Sequence, residues 1–105
     1  MSRRAQIEAM LAESPTDPFL RFALAKEHEK AGEDAAARAA YEALVADAPD
    51  YVGTYYHLGK TLERLGEDAL AFGVYTEGMA VTKRLGEQHA MRELAGARLE
   101  LGEDF

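Results

Sequence analysis

The tripeptide Gly-Glu-Asp occurs three times in the chain, at residues 32–34, 66–68 and 102–104. The first two copies are 34 residues apart, and the third follows 36 residues later. A fixed period of about 20 to 50 residues is typical of an array in which one supersecondary unit stacks on its neighbours, because no single unit can bury its apolar face alone. The spacing therefore predicts a repeat protein.

Other positions keep the same register. The residues that recur 34 positions later are Leu24, Ala25, Ala37 and Tyr41, which reappear as Leu58, Gly59, Ala71 and Tyr75, and Pro15, which reappears as Pro49. These pairs share the period of 34 residues that separates the first two copies of Gly-Glu-Asp. The period is therefore a property of the structure and not of composition.

Each unit has the pattern of two helices joined by a tight turn. The apolar residues before the second copy of Gly-Glu-Asp have the i, i+3, i+4, i+7 spacing of one helical stripe: Tyr55, Leu58, Gly59, Leu62 and Leu65. Gly66 is suited to end that helix in the left-handed conformation. Asp68 is predicted to accept from the free amides of the next helix, whose positive end it also suits. Gly59 and Ala71 are small enough to be the closest contact between the two helices, with Tyr75 beside them.

These residues resemble the signature of the tetratricopeptide repeat family, which is Trp-x2-Leu-Gly-x2-Tyr, then Ala-x3-Phe, then Pro. The second unit carries Tyr55-x2-Leu58-Gly59-x2-Leu62 and Ala71-x3-Tyr75, and Lys83 stands at the proline position. The first unit carries Leu24-Ala25, Ala37-x3-Tyr41 and Pro49, with Arg21 at the tryptophan position. The resemblance implies an all-α fold, a right-handed α-solenoid of antiparallel helix hairpins.

The pattern predicts six helices, over residues 3–13, 17–31, 34–47, 51–65, 68–85 and 88–101. The predicted organisation is one domain over residues 1–105. Its parts are an N-terminal half repeat (1–15), repeat 1 (18–51), repeat 2 (52–86) and a C-terminal capping helix (87–105). The first helix of repeat 1 follows Pro15, and a third first helix follows Gly86.

Composition restricts the function. The net charge of −7 disfavours nucleic acid as a partner, because phosphate binding depends on Lys and Arg. There is no long apolar run, so no membrane contact is expected. The absence of cysteine excludes disulfides and thiol chemistry, and the expected compartment is the cytoplasm. We expect no cofactor.

Histidine is the only residue type whose distribution suggests chemistry, since His28, His57 and His89 lie on three successive first helices. Their registers differ, so they are not expected to converge on one metal ion. The glycines match helix ends and close contacts and not a phosphate-binding loop. We therefore expect no metal site, no catalytic residue and no enzymatic activity.

The family resemblance implies that the first helices line a concave groove that receives a peptide of a partner protein. The groove residues implied here are Phe19, Phe22, Lys26, Lys30, Tyr56, Lys60, Arg64 and Arg92. The four basic residues of the two full repeats form a two-by-two grid that favours an acidic protein or peptide. A solvated face, partly neutralised by Glu29 and Glu63, is the other interpretation of the grid.

Two further interpretations concern the partner. Family members that clamp the C-terminal carboxylate of chaperones use Lys, Asn and Arg at set places on their first helices. This chain has Phe22, Lys26, His57, His89 and Glu93 there, so that clamp is not predicted. The alternative function is a self-associating assembly or scaffold unit, because two complete repeats are fewer than such arrays usually need. We expect a monomer, with a homodimer as the alternative.

Overall fold

The computed structural model describes residues 1–102 of the 105-residue chain. Six α-helices follow one another in this part: α1 (Arg3–Glu13), α2 (Pro18–Lys30), α3 (Asp34–Asp47), α4 (Gly53–Arg64), α5 (Asp68–Leu85) and α6 (Gln88–Leu101). No strand is present among these residues. The predicted helices are confirmed, with α4 beginning two residues later than predicted. Of the third Gly-Glu-Asp copy only Gly102 is described, and Glu103 and Asp104 lie outside the described residues.

Glycines end three of the helices as their positions predicted. Gly32, Gly66 and Gly86 have φ angles of 76°, 78° and 74°, in the left-handed region that a side chain disfavours. The prediction that Asp68 caps α5 is wrong. A capping residue stands just before a helix, whereas Asp68 is the first residue of α5 and Glu67 stands at the N-cap. The Glu67 amide donates to the Leu62 carbonyl, so the turn ends one residue earlier than predicted. The Asp68 carboxylate still lies in the first turn, where the helix dipole favours it.

The close contact inside the α4–α5 hairpin lies at Gly59, where the sequence placed it. A β-carbon on Gly59 would lie 2.1 Å from a ring carbon of Tyr75, which is fully buried. A second close contact lies at Gly78, where a β-carbon would be 2.6 Å from the Tyr55 β-carbon and 2.9 Å from Leu94. Glycine at 59 therefore lets Tyr75 of α5 lie against the α4 backbone, and glycine at 78 lets Tyr55 of α4 and Leu94 of α6 lie against the α5 backbone, more closely than any other residue would.

The helices alternate between two layers. The first helices of the units, α2, α4 and α6, contact each other in that order. The second helices, α1, α3 and α5, contact only first helices within residues 1–102. The first helices α2, α4 and α6 therefore form one continuous layer. We call the outward side of this layer the first-helix face. None of the described helices combines the length and the apolar character needed to cross a bilayer.

Candidate interaction surface

All eight residues predicted for the groove lie on the first helices: four on α2, three on α4 and Arg92 on α6. The structure does not gather them in one cavity. Three shallow clefts divide them, with volumes of about 310, 320 and 170 Å³. The first cleft lies beside α1 and the second lies between α2 and α4, and Lys26 and Lys30 line both of them. The third lies between α4 and α6 and is lined by Tyr56, Lys60 and Arg92.

Lys26 and Lys60 make the same contact one period apart. The Lys26 ammonium lies 5.5 Å from the centre of the Phe22 ring, and the Lys60 ammonium lies 5.7 Å from the centre of the Tyr56 ring. A cation within about 6 Å of an aromatic face is attracted by the ring's quadrupole. The rings therefore hold both ammonium groups on the first-helix face.

The other two members of the basic grid are paired with carboxylates. Arg64 donates to Asp34 at 3.1 Å and to Glu29 at 3.0 Å, and these bonds tie α4 to α2 and α3. Lys30 lies 3.4 Å from Glu27, one turn earlier on the same helix. The Arg64 guanidinium is thus a tie between helices, whereas the Lys30 side chain remains mostly exposed.

Glu29 is the centre of the junction between α2 and α4. Its carboxylate accepts from the Tyr41 hydroxyl at 2.7 Å and from Arg64, and it lies 3.1 Å from Nδ1 of His57. Burial alone would raise the pKa of this carboxyl, but the Tyr41 hydrogen bond, the His57 imidazole and the Arg64 guanidinium together lower the pKa below its ordinary value. Burial and the bond to Glu29 raise the pKa of the Tyr41 hydroxyl, which stays a neutral donor.

From the sequence, Glu29 is predicted only as a charge that offsets the lysines of the grid, and its role at this junction is not predicted. A signal for it was present, because Glu29 precedes Tyr41 by the same 12 residues by which Glu63 precedes Tyr75. The Tyr75 hydroxyl donates to Glu63 in the structure. In both units the tyrosine at the signature's Phe position therefore uses its hydroxyl to hold a first-helix carboxylate.

Phe22, which the resemblance assigned to the groove, is partly buried among aromatic rings. Its ring centre is 6.0 Å from that of Tyr41, 5.4 Å from that of Tyr51 and 5.4 Å from that of His57. Phe19, three residues earlier, is 63% exposed. Of the two phenylalanines assigned to the groove, Phe22 therefore joins the helices and Phe19 is open to contact.

The three histidines are engaged separately. The Nδ1 atom of His28 lies 2.8 Å from Glu33, His57 lies against Glu29, and Nε2 of His89 lies 3.6 Å from Glu93 on an exposed turn. Among residues 1–102, no three His, Asp or Glu side chains are placed to hold a metal ion.

Comparison with protein-family models finds no match, and neither does comparison with curated proteins. Solved structures do match. A tetratricopeptide repeat domain protein from Salinibacter ruber, solved by crystallography, is 47% identical over 81% of this chain and 96% of that one, with a TM-score of 0.77. The solution structure of a domain of the same description and organism gives 45% identity, coverages of 87% and 94%, and a TM-score of 0.81.

A protein from Bordetella parapertussis, also solved in solution, is 30% identical over 96% of this chain and 88% of that one, with a TM-score of 0.84. The repeat period, the alternating helices and these similarities agree. The chain belongs to the tetratricopeptide repeat family, whose members are protein-interaction modules and generally not enzymes.

Proposed function

We propose that this chain binds an acidic peptide segment of another protein in a groove on the first-helix face. One observation carries the proposal: Lys26 over Phe22 and Lys60 over Tyr56 repeat the same cation–aromatic pair one period apart. Neighbouring first helices pack roughly 8 to 10 Å apart. Two carboxylates of one peptide could therefore meet both ammonium groups.

The charges near these lysines support the proposal. Glu29 and Glu63 also accept hydrogen bonds from the buried Tyr41 and Tyr75, and the grid member that Glu29 pairs with is Arg64, not a lysine. In the described part of the chain Lys26 has no carboxylate within 4.0 Å, and the nearest to Lys60 is Glu63 at 3.8 Å. Among the described residues Lys26 thus offers an unpaired positive charge and Lys60 one with a single distant carboxylate, on a chain whose net charge is −7, an arrangement that favours an acidic partner.

The remaining groove residues have supporting parts. Phe19, Tyr56 and Arg92 offer apolar and cationic contacts along the face. Phe22 and Arg64 join the helices that form the groove, and Lys30 lies at its margin. We propose a monomeric, non-enzymatic module without a cofactor that acts in the cytoplasm. Its proposed organisation remains a half repeat (1–15), repeats 18–51 and 52–86, and a capping helix (87–105).

The test begins with affinity capture of partners on the 105-residue chain and their identification by mass spectrometry. The captured partner is then titrated against the variant Lys26→Glu/Lys60→Glu. Exposed charge contacts contribute about 0.2 to 1 kcal/mol each, and reversal adds repulsion, so affinity should fall about tenfold or more. The loss should shrink as salt rises, because screening acts over about 8 Å at physiological ionic strength.

The matched control is Arg38→Glu/Arg84→Glu, which makes the same change of charge on the second helices α3 and α5. It should leave the affinity unchanged. The melting temperature of each variant shows whether folding is intact. Unchanged affinity of Lys26→Glu/Lys60→Glu would mean that the lysines form only a solvated face.

A further inference from the structure

A face shared by α1 and α2 has no helix against it within residues 1–102. α1 contacts α2 alone, and α2 contacts α1, α3 and α4. One period later the corresponding pair, α3 and α4, has α2 packed against both helices. The cleft of about 310 Å³ that includes Arg3, Phe19 and Lys30 marks the open position.

Three residues of α1 and α2 are more exposed than their equivalents 34 positions later. Met10 is 49% exposed where Leu44 is fully buried, and the Arg3 side chain is 68% exposed where Ala37 is fully buried. The Lys30 side chain is 68% exposed and that of Arg64 is 41% exposed. The α3–α4 pair, which α2 covers, shows how deeply these positions are buried when a helix packs against them. The greater exposure on α1 and α2 is therefore what the absence of such a helix would produce.

The α3–α4 pair also shows which kind of helix fits the open position on α1 and α2. On α3 and α4, the occupant α2 places Phe22 beside Gly53, whose added β-carbon would lie 3.4 Å from that ring. Seven residues later it places Glu29 on Arg64 at 3.0 Å. Since Lys30 is the equivalent of Arg64, a helix in the open position would face a cation where it carries this carboxylate.

The charges of the open face strengthen this requirement. Arg3, Lys26 and Lys30 line it together with a single carboxylate, Glu27, which lies 3.3 Å from Arg3 and 3.4 Å from Lys30. Phe19, which lines the cleft and is 63% exposed, adds apolar surface to it. An amphipathic helix with several carboxylates complements both features.

A second copy of the chain fits less well. The free first helix is α6, and its residues 36 positions after Tyr56 and Glu63 are Arg92 and Leu99. Stacking α6 of one copy on the open face of another would bring Arg92 towards a basic surface and leave Lys30 opposite Leu99. Like charges at such a contact are unfavourable, so the charge pattern selects a different, acidic partner.

We propose that the face between α1 and α2 docks an acidic amphipathic helix of another protein, in the position that α2 occupies on α3 and α4. This site goes beyond the groove proposed above, because it lies at the α1 end of the stack. Lys26 lines both sites, so the test of this one uses Arg3 and Lys30, which the groove variants leave unchanged. The two proposals can therefore fail separately.

The probe is a fluorescein-labelled peptide of residues 17–31 carrying Arg21→Glu, Lys26→Glu and Lys30→Glu, measured by fluorescence anisotropy with the full chain. The unsubstituted peptide of residues 17–31 is its control. We expect the acidic peptide to bind more tightly than the control. Arg3→Glu/Lys30→Glu in the chain should lower that affinity about tenfold. The control variant Lys60→Glu/Arg92→Glu, in the cleft between α4 and α6, should change it less than about twofold.

A second variant, Phe19→Ser, should also weaken binding, because it removes the exposed aromatic ring of the face. Circular dichroism melting curves separate lost binding from lost folding. Equal binding of the two peptides, or an equal loss with Lys60→Glu/Arg92→Glu, would overturn the proposal. So would a dimer in sedimentation that Arg3→Glu/Lys30→Glu dissociates, since the face would then belong to a second copy.

Discussion

The junction between α2 and α4 and the junction between α4 and α6 use different chemistry in the same repeat register. At the first, Glu29 collects hydrogen bonds from Tyr41 and Arg64 and lies beside His57. At the second, Gly78 lets Tyr55 and Leu94 meet the backbone of α5 closely. The first junction is held by polar and aromatic contacts, and the second by close apolar packing.

The difference follows from two substitutions along the repeat. The residues 36 positions after His57 and Arg64 are Glu93 and Glu100, so α6 cannot offer Glu63 the partners that α4 offers Glu29. Glu63 keeps the bond from Tyr75, with Lys60 at 3.8 Å. A repeat period therefore fixes the positions of the helices and leaves each junction free to use its own contacts.

The largest effect is expected at Gly59 on α4, the helix that both junctions share. Gly59→Leu should lower the free energy of unfolding by more than about 3 kcal/mol or prevent folding, because even a β-carbon overlaps the buried Tyr75 ring. Gly66→Ala, which loses only backbone freedom at a φ of 78°, should cost about 1 kcal/mol. Urea denaturation compares them, and equal losses would show that the repeat register is wrong.

The next effect distinguishes the packing of the second junction. Gly78→Ala should destabilise the chain by about 1 to 3 kcal/mol, because its β-carbon would lie 2.6 Å from Tyr55. Gly73→Ala on the same helix should stabilise it by up to about 1 kcal/mol, since nothing lies within 4 Å and alanine favours helix. Thermal unfolding of the pair measures the contrast. A stabilising Gly78→Ala would contradict close packing at this junction.

The third effect tests the polar junction through pH. At pH 7, Glu29→Gln should destabilise the chain by about 1 to 2 kcal/mol, and Glu63→Gln should do so by less, because Glu63 has fewer partners. The folded-state pKa of Glu29 lies below 4.5, so its ionised form contributes stability above that pH and loses it as the pH falls further. Glu29→Gln should therefore match the unsubstituted chain more closely in acid.

Urea titrations from pH 7 to pH 3 follow this change. A destabilisation by Glu29→Gln that stays constant over the whole range would show that the contacts of its carboxylate do not depend on ionisation. A larger loss for Glu63→Gln at pH 7 would reverse the ranking of the two junctions.

The helices could be predicted because their signals are local and repeated. The glycines at 32, 66 and 86 end helices, and the small residue at Gly59 marks a close contact, whatever lies elsewhere in the chain. Glu29 could not be assigned in the same way. Its partners Tyr41, His57 and Arg64 come from two other helices, up to 35 residues away, so only the stacked structure brings them together.

The same reason explains the basic grid. Spacing placed Lys26, Lys30, Lys60 and Arg64 on equivalent turns, and the structure keeps them there. Which of them is free depends on the second helices, since Arg64 is taken by Asp34 at the start of α3. A periodic pattern predicts positions, whereas the availability of a charge depends on contacts between units.

The most direct test of the proposed groove is a chemical-shift map of the chain on titration with its captured acidic partner segment. The account predicts that backbone amides near Lys26, Lys60 and Arg92, on α2, α4 and α6, shift together, while those of the outer turns of α3 and α5 do not. The shifts should disappear with Lys26→Glu/Lys60→Glu. Shifts confined to α3 and α5, or an unchanged map with that variant, would contradict the account.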